Sequence, residues 1–195
     1  MHDPTTELLN SARACTHCAE CLPLGPRPIV DFTEHTRILL ISQAPGSIVH
    51  KNGVPWLDHG GKRLREWLGV TDADFFDPNN FGIMPMGFCY PGKGKSGDLP
   101  PRPECAPLWH DRILAALPNV QLRILIGAYA QKAYLGKRAR KTLTETVRQH
   151  EDYLPAFFPL PHPSPRNRIW LAKNDWFENE TILSLRKRVS MVLTN

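Results

Sequence analysis

The sequence predicts an α/β protein, built as a three-layer α/β/α sandwich on a mainly parallel sheet of four strands. Three observations favour this fold. Apolar and β-branched runs of strand length recur along the 195 residues, and segments of helical length separate them. Turn-forming prolines and glycines follow predicted strands. The length suits one domain, so we expect residues 1–195 to form a single folded unit.

The predicted elements alternate in chain order. Residues 1–14 form an arm or a short helix with Leu8 and Leu9 as its apolar anchor, and we expect no chemistry there. Apolar runs predict strands at 36–42, 81–88, 121–127 and 153–160. Apolar residues at helical spacing predict helices at 62–68, 104–117, 128–135 and 176–193. Such alternation is typical of a parallel sheet covered by helices.

The chain carries a mild excess of positive charge, with 24 Lys and Arg against 19 Asp and Glu and a formal net charge of +5. This excess suits a polyanionic partner, although an ordinary basic surface explains it equally well. Residues 1–11 lack the basic and apolar regions of a signal peptide, and no apolar run approaches the roughly 18 residues that span a bilayer. We therefore expect a cytoplasmic protein without a membrane segment, and a monomer.

Five cysteines, an odd number without a secretion signal, argue against a disulfide framework and for a metal or free thiols. Cys15, Cys18 and Cys21 repeat at intervals of three, and thiolates in a C-x-x-C pair can hold one metal. Cys89 and Cys105 are candidates for the other ligands, and four sulfurs suit zinc or an iron-sulfur cluster. The alternative is that Cys89, at the end of an apolar run, is a small buried hydrophobe.

The first candidate site segment begins where the strand at 36–42 ends. The run Gln43-Ala44-Pro45-Gly46 predicts a sharp turn there. Further along, Trp56 and Asp58 precede two glycines and a predicted helix. Asp58 can serve as the N-cap of that helix or as a functional carboxylate.

The second candidate site is the loop at 161–167, with the sequence PHPSPRN. Proline fixes φ and lacks an N–H, so its three prolines place His162 on a loop rather than in a helix or a central strand. The preceding apolar run puts this loop just beyond a strand end, where sites cluster in open α/β sheets. Ser164, Arg166 and Asn167 are residue types that bind phosphate. The alternative is an ordinary proline-rich turn that caps the next segment.

A glycine-rich loop at 92–97, GKGKSG, contains Lys93 and Lys95. It does not form a nucleoside-triphosphate site, because a P-loop needs a glycine where Cys89 stands. The two lysines suit a DNA phosphate, although a mobile surface loop is an equal alternative.

These motifs together resemble a known family. The run HPSPRN at 162–167 is similar to the second active-site motif of the uracil-DNA glycosylase superfamily, closest to its single-strand-selective monofunctional branch. The order of strand, QAPG, GVPW, glycines and helix resembles the iron-sulfur (family four) branch, whose first motif is GEAPG followed by G-x-P-F. The resemblance implies a uracil-DNA glycosylase-like fold and a monofunctional DNA N-glycosylase of base excision repair. Its substrate would be DNA that contains a deaminated base, and uracil is the base that we expect before any other.

The resemblance assigns catalytic roles to residues of both segments. His162 would donate a hydrogen bond to the departing base. Gln43 stands where the family has its water-activating glutamate, but an amide cannot accept a proton as a general base. Either Gln43 positions the water or Asp58 supplies the carboxylate. Trp56 stands where an aromatic stacks on the flipped base, although a core position over the following helix is an equal alternative.

The remaining assignments follow from the same resemblance. The base-binding residues are Trp56, Ala44, Pro45 and Gly46, and the DNA-binding residues are Ser164, Arg166, Asn167, Lys93 and Lys95. The family's ligand spacing implies a four-iron four-sulfur cluster, with zinc as the alternative. Its ligands would be Cys18, Cys21, Cys89 and Cys105, which leaves Cys15 over.

Two departures from the family pattern keep other functions open. Gln43 replaces the glutamate, and Pro85 stands where the family has the asparagine that recognises uracil. One alternative is a catalytically weak or inactive nucleic-acid-binding module on the same scaffold. Another is an N-glycosidase for a different base, such as hypoxanthine. A binding module would leave no abasic site in DNA, whereas an enzyme would.

Overall fold

The computed structural model describes residues 3–194, and its centre is a parallel sheet of four strands. The strands are β1 (Ile38–Ile41), β2 (Phe81–Ile83), β3 (Leu122–Ile126) and β4 (Phe157–Leu160). They lie in the order β2-β1-β3-β4, and all neighbouring pairs are parallel. Parallel neighbours require crossover connections, and each crossover here contains helices.

The helices cover both faces of the sheet. Their bounds are α1 (Pro4–Arg13), α2 (Ser47–Asn52), α3 (His59–Leu68), α4 (Asp72–Phe76), α5 (Cys105–Ala116), α6 (Ala128–Leu135), α7 (Leu143–Arg148), α8 (Arg168–Ala172) and α9 (Ile182–Thr194). A π-helical turn at Phe177–Thr181 leads into α9. Among residues 3–194, no helix has both the length and the apolar character needed to cross a bilayer.

The sheet separates two apolar clusters because successive strand residues point to opposite faces. On one face, Ile38 and Leu40 pack with apolar residues of α3, α7 and α9. On the other face, Leu39 and Ile41 pack with apolar residues of α1, α5 and α6. The predicted three-layer α/β/α fold is therefore confirmed.

All four strands are shorter than the sequence predicts, and the difference is largest for β2 and β4. β2 ends at Ile83 rather than at residue 88, because Pro85 has no N–H to give to a ladder. The chain beyond it still follows the end of β1, since the Met86 N–H donates to the Ser42 carbonyl at 2.8 Å. β4 begins at residue 157 rather than 153, because residues 150–153 form a 3-10 turn.

The loops after β1, β2 and β4 meet at one edge of the sheet. The strands run parallel, so their carboxyl ends share that edge, which is where ligands bind in open α/β sheets. β3 contributes Gly127, and a Cβ placed on it would lie 3.9 Å from the Cβ of His162. Two motif segments more than a hundred residues apart in sequence therefore come together at this edge.

Candidate active site

Both predicted motif segments line one open pocket of about 540 Å³ at the carboxyl edge of the sheet. The loop after β1, the segment before α3 and the loop after β4 form three of its walls. Residues 96–98 of a glycine-rich hairpin form the fourth. A volume of this size is typical of small-ligand sites and provides the space that an extruded base needs.

The loop after β1 presents residues 43–46 to the pocket; residues 44–46 are the ones predicted to bind the base, and Gln43 is a predicted catalytic residue. The Gln43 side chain is half-buried, and its Nε2 donates to the carbonyl oxygen of Leu99 at 3.4 Å. Gln43 therefore contacts a segment that lies 56 residues further along the chain. This contact has no signal in the local sequence.

Trp56 has an unusual backbone conformation, with φ at 58° in the left-handed region. Its carbonyl oxygen accepts from Arg65 Nη1 at 3.1 Å, and a Cβ on Gly61 would overlap that oxygen. The side chain is only 8% exposed, belongs to the apolar cluster over α3, and also lines the pocket. The two alternatives for Trp56, core packing and a pocket wall, thus describe two sides of one residue. Strained backbone of this kind concentrates at functional sites.

Asp58 is the N-cap of α3. Its Oδ1 accepts from the Gly61 N–H at 2.8 Å, which satisfies one of the free N–H groups of the first turn. The carboxylate also lines the pocket, so the cap places a negative charge there.

His162 is held in one orientation by its own loop. The Ser164 N–H donates to His162 Nδ1 at 3.2 Å, and Asn167 Nδ2 donates to the His162 carbonyl at 2.6 Å. Because Nδ1 accepts, the neutral ring carries its hydrogen on Nε2. The ring lies 5.9 Å from the Trp56 ring, centroid to centroid, at an interplanar angle of 35°.

Burial lowers the pKa of His162 below its ordinary value of 6.5. The carboxylates of Asp58 and Asp98 act in the opposite direction, and the Arg166 guanidinium adds to the lowering. Burial outweighs the two carboxylates, so the imidazole is neutral at pH 7. The His162 ring can therefore donate a hydrogen bond from its Nε2–H.

The other polar residues of the second loop also line the pocket. Ser164 Oγ accepts from the Arg166 N–H at 3.2 Å and caps the short 3-10 turn that follows. The Arg166 side chain is exposed and lies over the backbone of Gly97, where a Cβ would overlap its Nη1. Arg63 of α3 donates to the Ser164 carbonyl at 3.4 Å, which ties the loop to the helix.

The glycine-rich hairpin brings a residue that sequence reasoning missed. Lys93 and Lys95 are exposed on it, beside the pocket rather than in its wall. Asp98 lines the pocket itself, together with Ser96 and Gly97. An aspartate in a glycine-rich loop carries no sequence signal of function, because its position depends on how the hairpin folds back.

The pocket floor near Pro85 has no asparagine. The Pro85 carbonyl accepts from His110 Nε2 at 3.1 Å, and Tyr134 donates its hydroxyl hydrogen to His110 Nδ1 at 2.7 Å. Burial lowers the pKa of His110, which keeps this ring neutral. Ser42, 6% exposed, is a polar residue that lines the pocket beside Pro85.

Four cysteines line a second, small cavity of about 20 Å³. Three of them, Cys18, Cys89 and Cys105, are predicted metal ligands. The fourth is Cys15, which the predicted ligand set leaves out. Cys21 is exposed and does not line this cavity. Three of the four predicted ligands therefore line this cavity, and Cys21, three residues from Cys18, does not.

The thiols of this cavity form a donor set that suits zinc or an iron-sulfur cluster. As free thiols they are protonated, because burial raises the pKa of Cys89 to about 11 and that of Cys105 to about 12. The Phe88 N–H points at Cys105 Sγ from 3.3 Å. Within residues 3–194, no group of three or more His, Cys, Asp or Glu side chains is arranged around a single metal-ion position.

A comparison with protein families agrees with this geometry. The sequence model described as the Uracil DNA glycosylase superfamily matches residues 30–186. The match includes all four strands, both motif segments and the hairpin, and it begins after Cys15, Cys18 and Cys21. The chain belongs to the uracil-DNA glycosylase superfamily.

Proposed function

We propose that this protein is a monofunctional DNA glycosylase that hydrolyses the N-glycosidic bond of a deaminated base in base excision repair, with uracil as the first substrate. The observation that carries the proposal is a neutral histidine, His162, that lines a 540 Å³ pocket together with Trp56. Membership of the superfamily supports the reaction type.

The reaction needs a hydrogen-bond donor at the departing base. As the bond between N1 and C1′ breaks, negative charge develops on the base at O2. The Nε2–H of His162 donates to that oxygen without adding a positive charge of its own. A donor aimed at developing charge contributes about 3–4 kcal/mol to transition-state stabilisation.

The base enters the pocket only after it leaves the DNA stack, and the walls must then hold it. Trp56 stacks on its face, which contributes about 1–3 kcal/mol. Residues 44–46 close the opposite wall. Trp56 reaches both the core and the pocket because Arg65 and Gly61 fix its backbone.

DNA lies across the open side of the pocket. Ser164, Arg166 and Asn167 line this opening, and the exposed Lys93 and Lys95 flank it on the hairpin. Their donors contact phosphates on both sides of the flipped nucleotide. Base contacts inside the pocket then decide which base is accepted.

The cysteine cavity would hold a structural four-iron four-sulfur cluster, with zinc as the alternative metal. Cys18, Cys89 and Cys105 would be three of the ligands, and Cys15 would be the fourth, because Cys15 lines the cavity and Cys21 does not. Such a cluster would tie the N-terminal arm to α5 and to the loop after β2. A cluster there would agree with the iron-sulfur branch, which the first motif segment resembles, whereas the HPSPRN loop resembles the single-strand-selective branch.

The iron and acid-labile sulfide content of protein purified without oxygen tests this ligand set. Cys15→Ser lowers the iron content and the absorbance near 400 nm that iron-sulfur clusters have. Cys21→Ser, the matched control, leaves both unchanged. Loss of iron in Cys21→Ser with retention in Cys15→Ser would restore the set that spacing alone implies. Zinc in place of iron would select the alternative metal.

Strand cleavage after alkali tests the activity, on labelled oligonucleotides with uracil, hypoxanthine, xanthine or a thymine mismatch. We expect cleavage at uracil by the wild type and a rate about 10²–10³-fold lower for His162→Ala. Binding without cleavage on every substrate would establish a nucleic-acid-binding module instead. Pro85 favours one further outcome, removal of a different base such as hypoxanthine, because a proline side chain cannot recognise the uracil edge.

A further inference from the structure

The loop after β1 has an amide where the iron-sulfur branch has its glutamate, because Gln43 stands at that position. A carboxylate elsewhere in the pocket would stabilise the positive charge that develops on the sugar as the base departs. Among the described residues, the carboxylates that line the pocket are those of Asp58 and Asp98.

We infer that Asp98 is the catalytic carboxylate of this pocket and that Gln43 is a positioning residue that holds the loop presenting it. This inference rests on the proposed glycosylase function. In this arrangement the negative charge lies on the hairpin after β2 rather than at the end of β1.

The hairpin holds Asp98 against the loop after β1. The Gly94 N–H donates to the Gly97 carbonyl at 2.6 Å, and residues 93 and 98 form an antiparallel bridge. A Cβ placed on Gly46 would lie 3.8 Å from Asp98 Oδ2. The buried Tyr90 donates its hydroxyl hydrogen to Asp98 Oδ1 at 3.5 Å. Asp98 therefore has one oxygen directed at the first motif loop and one bonded to the hairpin's own tyrosine.

Gln43 contacts Leu99, the residue that follows Asp98 on the hairpin. Its Nε2 donates to the Leu99 carbonyl, and the Leu99 N–H donates to the Gly92 carbonyl at 2.9 Å. A glutamate at position 43 would be ionised at neutral pH and has no hydrogen to donate to that carbonyl. The amide is thus the side chain that this contact requires.

Asp58 already has a structural role as the N-cap of α3. Its Oδ1 caps α3, and that bond fixes the carboxylate at the helix end. Asp98 is exposed on the open side of the pocket, where water and the sugar arrive. Both carboxylates lie near His162, since both raise its pKa against the effect of burial.

The chemical step balances with these residues. The bond between N1 and C1′ breaks, and its electron pair goes to the base, whose O2 accepts the hydrogen bond from His162. The sugar becomes an oxocarbenium ion, which the Asp98 carboxylate stabilises. Water then attacks C1′ and transfers its proton to Asp98, and the base anion takes a proton from solvent.

The test measures binding to two abasic-site analogues in DNA, a cationic pyrrolidine and a neutral tetrahydrofuran, beside single-turnover base release. We expect the wild type to bind the pyrrolidine more tightly. Asp98→Asn loses that preference and slows base release about 100-fold. Asp58→Asn keeps the N-cap of α3 but removes the charge. It loses less of the pyrrolidine preference and less of the rate of base release than Asp98→Asn does. Asp111→Asn, an exposed carboxylate on α5 away from the pocket, is the matched control and changes neither.

The outcomes separate this inference from the proposed function. A wild type that prefers the pyrrolidine through Asp98 but releases no base supports the placement of the carboxylate and removes the glycosylase function. Base release that survives in Asp98→Asn overturns the inference and leaves the function standing. The assignment of Asp98 is also overturned if only Asp58→Asn loses the preference for the pyrrolidine. It is overturned as well if the wild type binds the two analogues equally. A thermal melt of Asp98→Asn equal to that of the wild type shows that the variant is folded.

Discussion

The two segments that meet in the pocket are built in different ways. The second loop, residues 161–167, makes its hydrogen bonds largely within itself, since Ser164 and Asn167 both bond to His162. The first motif segment, residues 43–61, depends on partners outside it. Gln43 bonds to Leu99, and the Trp56 carbonyl accepts from Arg65.

This difference gives a physical reason why the sequence resemblance is closer in the second loop than in the first motif segment. A loop that orients its own histidine depends on only seven consecutive residues. A segment that depends on a distant hairpin can exchange its carboxylate for an amide, provided that the hairpin supplies the charge. Four substitutions or titrations test this contrast.

The largest effect is expected at Gly61, where the first segment is packed most tightly. Gly61→Ala places a Cβ on the Trp56 carbonyl and destabilises the fold by about 1–3 kcal/mol. Urea unfolding measures this loss. Gly60→Ala is the control, because the nearest atom to its Cβ would be a side-chain oxygen of Asp58 at 3.3 Å. Equal stability of both variants would show that the Trp56 turn can relax at no cost.

The second loop is most sensitive at Asn167. Asn167→Ala removes the bond to the His162 carbonyl, and we expect base release to slow about fivefold, from a loss of about 1 kcal/mol. DNA affinity, measured by fluorescence anisotropy, changes less than the rate. Asn174→Ala removes a similar bond, to the Trp170 carbonyl, outside the pocket and serves as the control. A larger change in affinity than in rate would make Asn167 a DNA contact first.

Gln43→Ala separates the two segments directly. It removes the contact with Leu99, and we expect amide exchange in residues 92–99 to become faster by about threefold. Exchange in residues 161–167 stays as in the wild type, which provides the internal control. Faster exchange in both loops would show that the second loop also depends on the hairpin.

The smallest expected effect is a change in the pKa of His162. Burial holds the pKa of His162 below 6.5, so the neutral imidazole stabilises the fold above that pH. This stabilisation is lost as the pH falls from 6.5 through the lowered pKa, and base release falls in the same range. NMR titration measures the pKa, and His162→Ala assigns the resonance. In Asp98→Asn the pKa falls further, because a carboxylate that raises it is gone; an unchanged value would place Asp98 too far away to act.

The sequence by itself determined the fold class, the succession of strands and helices along the chain, and the loop that carries His162. These features depend on local patterns. Apolar periodicity indicates which residues are buried. Three closely spaced prolines exclude a helix interior or a central strand, whatever surrounds them in the fold. The N-cap role of Asp58 was also available from the sequence, because a cap depends only on the residues of the next turn.

The tertiary structure alone decided which distant residues share a site. Cys15 rather than Cys21 faces the cavity with Cys89 and Cys105, although the two have the same spacing from Cys18. Asp98 enters the pocket because its hairpin folds back onto the loop after β1. Neither arrangement leaves a periodic or local signal, since each depends on how separate loops pack at the edge of the sheet rather than on the neighbours in the chain.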